Sequence, residues 1–124
     1  MDNVVHFEIP AKNMKRAKKF YESVFGWNVS KYMDNYFMAY TGPVDKKYMT
    51  TKPGYINGAI QKSDKKTTTI VVNVKNVNKS IETVKKAGGK LLRPVNKVED
   101  MLLYAAVSDS EGNEIGLAQY LRKQ

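Results

Sequence analysis

Residues 4–14 read Val4-Val5-His6-Phe7-Glu8-Ile9-Pro10-Ala11-Lys12-Asn13-Met14, and residues 67–77 read Thr67-Thr68-Thr69-Ile70-Val71-Val72-Asn73-Val74-Lys75-Asn76-Val77. The two stretches carry one pattern, 63 positions apart. Each opens with a strand whose side chains alternate between two faces. Val5, Phe7 and Ile9 share an apolar face, with His6 and Glu8 opposite; in the second copy Ile70, Val72 and Val74 are apolar, with Thr69, Val71 and Asn73 opposite. Helices follow, with Asn13 and Asn76 as N-caps and apolar stripes Met14, Ala17, Tyr21, Val24 and Val77, Ser80 (with Ile81), Val84, Ala87 at three- and four-residue steps. Gly26 and Gly88-Gly89 end them, because glycine reaches positive φ without a Cβ clash.

Three strands are predicted after each helix: Trp27–Met33, Tyr36–Thr41 and Ile56–Gln61 in the first half, then Lys90–Val95, Leu102–Ser108 and Glu114–Tyr120 in the second. Asp34-Asn35 and 109–113 supply turn chemistry, while 42–54 and 96–101 read as irregular stretches at corresponding places. The chain is therefore expected to be α+β, one domain over 1–124 built of two tandem βαβββ modules, about 1–62 and about 66–122. A single helix covers one face of a four-stranded sheet, so mixed sheets forming a cleft are expected, with a second copy completing a homodimer.

Composition narrows the function. The chain has 124 residues, 42% hydrophobic and 27% charged, too short for a dinucleotide-binding half plus a separate catalytic half. With no cysteine and one histidine it lacks a thiolate nucleophile, a disulfide framework and a Cys-based metal site. The first residues enter a strand pattern directly and no apolar run is long enough to span a bilayer, so a cytoplasmic protein without membrane contact is expected. The net charge of +9 favours neutral or anionic ligands over cationic ones. Its 21 basic residues include three Arg (Arg16, Arg93, Arg122), and no helix-turn-helix, RNP-like or zinc-finger signature accompanies them, so nucleic acid is not the expected partner.

The tandem βαβββ pattern resembles the vicinal oxygen chelate superfamily of glyoxalases, bleomycin-resistance proteins and extradiol dioxygenases. The phrases that carry it are His6-Phe7-Glu8-Ile9-Pro10-Ala11, Phe20-Tyr21 through Val24-Phe25-Gly26-Trp27, Ala87-Gly88-Gly89-Lys90, and Asp109-Ser110-Glu111-Gly112-Asn113-Glu114-Ile115-Gly116-Leu117. The resemblance spans essentially the whole chain. It implies the fold, and it implies a divalent metal held by His and Glu side chains that chelates two adjacent substrate oxygens. The ligand positions it implies fall on His6, Thr69, Gly58 and Gly116, of which His6 alone carries a good ligand. Glu114, two residues before Gly116, offers a displaced carboxylate that with His6 and Glu8 would make a relocated site. No cofactor is expected, with a divalent metal as the alternative.

His6 and Glu8, on the polar face, are the candidate catalytic residues: a general base with its orienting carboxylate, or a pair that satisfies itself. The expected ligand-binding set is His6, Glu8, Tyr48, Gly58, Thr69, Asn73, Tyr104 and Gly116. Tyr48 lies in the lysine-rich loop and reads as a lid, and the two glycines read as leaving space in the cleft. The same surface also suits plain sheet packing. The functions that fit are a small-molecule binding protein of bleomycin-resistance type, or a lyase- or isomerase-type enzyme with a relocated metal or a metal-free acid/base site at His6 and Glu8. The sequence leaves open whether any reaction is catalysed.

Overall fold

The computed structural model describes residues 1–121; the end of the second module expected at residue 122 lies outside the described residues. Residues 6–68 form one compact unit, and residues 1–5 with those from Thr69 onward form the other. Each contributes four strands and one helix in the βαβββ order expected from the repeat.

β1 (Val4–Ala11), which lies in the first unit from His6 onward, leads into α1 (Met14–Phe25), followed by β2 (Asn28–Met33), β3 (Tyr36–Tyr40) and β4 (Gly58–Lys62). The strand order is β2-β3-β4-β1, with β1 parallel to β4 and the other neighbours antiparallel. Asn13 caps α1 by accepting from the Arg16 N–H at 2.9 Å, and Gly26 ends it at φ 71°. The core face gathers Met14, Val29, Phe37, Ala39 and Ile60, with Phe7, Tyr21 and Trp27 packed against it. Phe20, Val24 and Phe25 are exposed, so Val24, expected on the apolar stripe of α1, does not join that core.

In the second unit β5 (Thr69–Asn73), α2 (Val77–Lys86), β6 (Lys90–Val98), β7 (Leu102–Ser108) and β8 (Glu114–Tyr120) repeat the pattern in the order β5-β8-β7-β6. Asn76 caps α2 by accepting from Lys79 N–H at 3.0 Å, and Gly88 follows it at φ 99°. Val74, Val77, Ile81, Ala105, Val107 and Leu117 form the core. The Asn73 N–H donates to Asn3 O at 2.8 Å, a bond that ties the first residues to this unit. β6 runs to Val98, so strand replaces the first half of the irregular stretch expected from Asn96 to Met101; the second of two register shifts against β7, between Arg93 and Asn96, spans Pro94, which has no N–H to give a ladder. No helix among the described residues is long and apolar enough to cross a membrane.

Candidate functional site

The face of the first sheet opposite α1 follows from strand phase. Glu8 pairs with Ala59, Ala59 with Met38, and Gln61 with Tyr36, so His6, Glu8, Ala59, Gln61, Tyr36, Met38 and Tyr40 share it. Polar contacts on this face converge on Tyr36. Its hydroxyl donates to Glu8 Oε2 at 2.7 Å and lies 2.8 Å from His6 Nε2. A phenol has one proton, and that proton points to Glu8, so the second bond requires His6 Nε2–H as donor and leaves the lone pair on Nδ1. Glu8 and His6 themselves stand 3.9 Å apart, their side chains 18% and 21% exposed. Burial pushes the His6 imidazole below its ordinary value, and the Glu8 carboxylate partly opposes that shift. The result is a neutral imidazole, oriented by a phenol that is itself fixed by a carboxylate.

His6 and Glu8 are thus brought together as expected, but through a residue given no role by the sequence reading. Tyr36 starts the strand that follows the Asp34-Asn35 turn, and its phase with Met38 and Tyr40 puts it on the polar face. The signal available was that alternation; what hid it was the number of aromatic residues around it.

Tyr48 is exposed and sits at φ 62°, its ring 5.9 Å from Tyr40 and within 22° of parallel. Asp45 holds the loop: its carboxylate accepts from the Lys47 and Met49 N–H groups, and its carbonyl from Tyr48 N–H. Tyr40, at the far end of the strand from Tyr36, is therefore covered by an ordered turn. Burial, and Tyr48 beside it, raise the Tyr40 phenol above its ordinary value.

The placement of Gly58 is a correction. Ile9 pairs with Ile60, so Gly58 and Ile60 lie on the helix side with Phe7, opposite His6. A Cβ on Gly58 would come within 2.5 Å of the Phe7 ring and carbonyl. β4 has apolar residues at both phases after a long loop, so alternation could not set its phase. Thr69, Asn73, Tyr104 and Gly116 do share one face of the second sheet, through the pairs Val71 with Gly116, Asn73 with Ala118 and Tyr104 with Ala118. The space expected at Gly116 is filled, however, because the Tyr104 ring lies over it. Both glycines accommodate an aromatic ring of their own unit.

The donor set does not fit the divalent metal that the resemblance implies. His6 Nε2 and Glu8 are joined through Tyr36, and the positions Gly58, Gly116 and Thr69 offer two glycines and a hydroxyl. Glu114, the displaced carboxylate, receives Arg93 Nη2 at 2.6 Å. Among the described residues no three His, Asp or Glu side chains cluster as a metal site.

Comparisons with known proteins agree with this fold. A profile of the Glyoxalase/Bleomycin resistance protein/Dioxygenase superfamily matches residues 3–117. A glyoxylase-like domain-containing protein of Didymella fabae is 33% identical over 113 residues, 86% of this chain and 84% of that protein. The Mn(II)-bound glyoxalase of Novosphingobium aromaticivorans superimposes with a TM-score of 0.70 at 13% identity, over 97% of this chain but only 38% of its own. Methylmalonyl-CoA epimerase of Mycobacterium tuberculosis gives 0.64 at 13% identity, over 94% of this chain and 86% of its own. Matched by the profile over nearly its whole length, the chain belongs to the Glyoxalase/Bleomycin resistance protein/Dioxygenase superfamily.

Proposed function

We propose that this protein is a member of the superfamily that binds a small neutral or anionic organic molecule at the His6–Tyr36–Glu8 face without a chelating metal. The observation that carries the reading is the Tyr36 hydroxyl, bonded to both residues that would otherwise be available to an ion. The net charge of +9 raises the local concentration of anions over cations. A cytoplasmic homodimer completes the proposal, and sedimentation of the purified chain measures the second part of it.

A second reading is favoured by one specific feature. The lowered imidazole is neutral near pH 7, and Nδ1 carries its lone pair, so His6 can accept a proton from an acidic O–H or C–H of the bound molecule while Tyr36 and Glu8 hold the ring. This would be metal-free acid/base chemistry of lyase or isomerase type.

Both readings are tested by titrating small carboxylates and phenols against the protein while following the imidazole Hε1 resonance, which is unambiguous because His6 is the single histidine. Saturable shifts lost in Tyr36→Phe support binding at this face. Ligands that bind with equal affinity to the wild type and to Tyr36→Phe, leaving Hε1 unmoved, would place binding elsewhere.

A further inference from the structure

The helix α1 differs from its repeat mate α2 in what it exposes. Phe20, Val24 and Phe25 are 51%, 54% and 58% exposed, and the Phe20 ring meets the Phe25 ring edge-on at 6.2 Å. At the 63-residue offset α2 and the residues after it carry Thr83, Ala87 and Gly88 in those places, and α2 exposes no large apolar side chain. The repeated fold therefore does not require the exposure. The charges differ as well. α2 has Lys85 and Lys86 in its last turn, at the negative end of the helix dipole, where cations stabilise it. α1 has no cation in its last turn and no acid in its first, and Lys15 and Arg16 stand in that first turn, against the dipole, with Lys12 before the cap and Lys19 one turn on. All four are exposed, and none pairs with a carboxylate among the described residues; Glu22, the one acid of α1, is held by Lys18 at 3.0 Å. Arg16, Phe20 and Val24 follow at four-residue steps, so the cationic end and the apolar patch lie along one stripe of the helix.

We propose that this stripe of α1 is a docking surface for an anionic lipid bilayer, which it touches without crossing. Charge complementarity selects that partner. Unpaired cations on a chain of net charge +9 are drawn to anionic headgroups, and exposed apolar side chains beside them gain by entering the boundary of the acyl chains. Three of the four cations are Lys, a compact hydrated charge that suits mobile headgroups, whereas fixed carboxylates of a protein partner are matched by the planar fork of Arg. The same net charge opposes a second copy of this chain on this surface. The stripe lies on the helix opposite the His6 face, so it is independent of the ligand reading, and it departs from the expectation of a protein without membrane contact.

Co-sedimentation of the full chain with vesicles of phosphatidylcholine carrying a quarter phosphatidylserine, beside vesicles of phosphatidylcholine alone, tests this. Trp27, the single tryptophan, has its ring 5.7 Å from that of Phe25 and reports the contact by its fluorescence. The expected result is binding to the anionic vesicles about tenfold or more stronger than to the neutral ones, falling as salt is raised, with a blue shift of Trp27. Phe20→Ser and Lys19→Glu are each expected to weaken it by about tenfold or more, whereas Lys79→Glu, the same charge reversal on α2, changes it by about threefold or less. All three positions are exposed, so the substitutions leave the cores intact. No binding to the anionic vesicles, equal binding to the neutral ones, or equal effects of Lys79→Glu and Lys19→Glu would overturn the proposal. Loss of a dimer rather than of vesicle binding in Phe20→Ser would overturn it too, and would assign the patch to a second copy.

Discussion

The hydroxyl of Tyr36 donates to Glu8 at 2.7 Å and so accepts from His6 at 2.8 Å, which makes one tyrosine the junction between the two candidate residues of the first strand. Tyr36→Phe deletes both bonds and leaves a half-buried carboxylate and imidazole facing each other at 3.9 Å. The expected cost is about 1–2 kcal/mol in urea unfolding, the usual range for stranded polar groups. The imidazole should also titrate higher, because the carboxylate then acts on it directly. Unchanged stability together with an unchanged His6 titration would contradict the assignment.

The lowered His6 value predicts the direction of acid sensitivity. A group whose folded value lies below its unfolded value of 6.5 contributes stability that is complete above 6.5 and is lost as the pH falls through the folded value. Unfolding free energy should therefore decline from pH 6.5 downward before ordinary carboxylates titrate, and the decline over that interval should vanish in His6→Gln. Urea midpoints measured at half-unit steps of pH check this, and a wild-type profile flat between pH 6.5 and 5 would refute it.

The two glycines should respond differently to alanine. At Gly58 the new methyl group meets the Phe7 carbonyl at 2.5 Å, and backbone inside a parallel ladder has little room to shift. A loss of about 2–3 kcal/mol is expected. At Gly116 the obstacle is the Tyr104 side chain, so Gly116→Ala should be partly rescued by Tyr104→Ala, whereas Phe7→Ala should rescue Gly58→Ala far less. Thermal or chemical unfolding of the four variants measures the contrast. Equal rescue at both sites would contradict it.

Each helix is capped by an asparagine at the same place in the repeat, and these caps should act independently. Asn13→Ala and Asn76→Ala are each expected to cost about 1 kcal/mol, and the double variant about the sum. Unfolding in denaturant tests this, and a double variant no less stable than either single one would mean the caps are not separate contributions.

The repeat made most of the architecture legible, because Asn13 and Asn76, Gly26 and Gly88, and the alternating strands are local signals that tertiary packing reinforced. Strand phase was readable where apolar and polar residues alternate, as in β1. In β4 both phases are apolar, so Gly58 went to the wrong face. The site was half readable. His6 and Glu8 announce themselves by chemistry, but Tyr36 reaches them from 28 and 30 residues away, through sheet registers that no local pattern encodes. Likewise the ring of Tyr104 over Gly116 depends on which cross-strand neighbour fills a gap, a packing outcome rather than a sequence signal.

The metal-free site proposed above rests on Tyr36 holding both His6 and Glu8. Calorimetric titration of metal-stripped, untagged protein with Mn(II) and Zn(II), beside His6→Ala, tests it most directly. The account predicts no stoichiometric binding by either protein. One equivalent bound by the wild type and lost in His6→Ala would contradict it, and would show that Tyr36 yields its place to an ion.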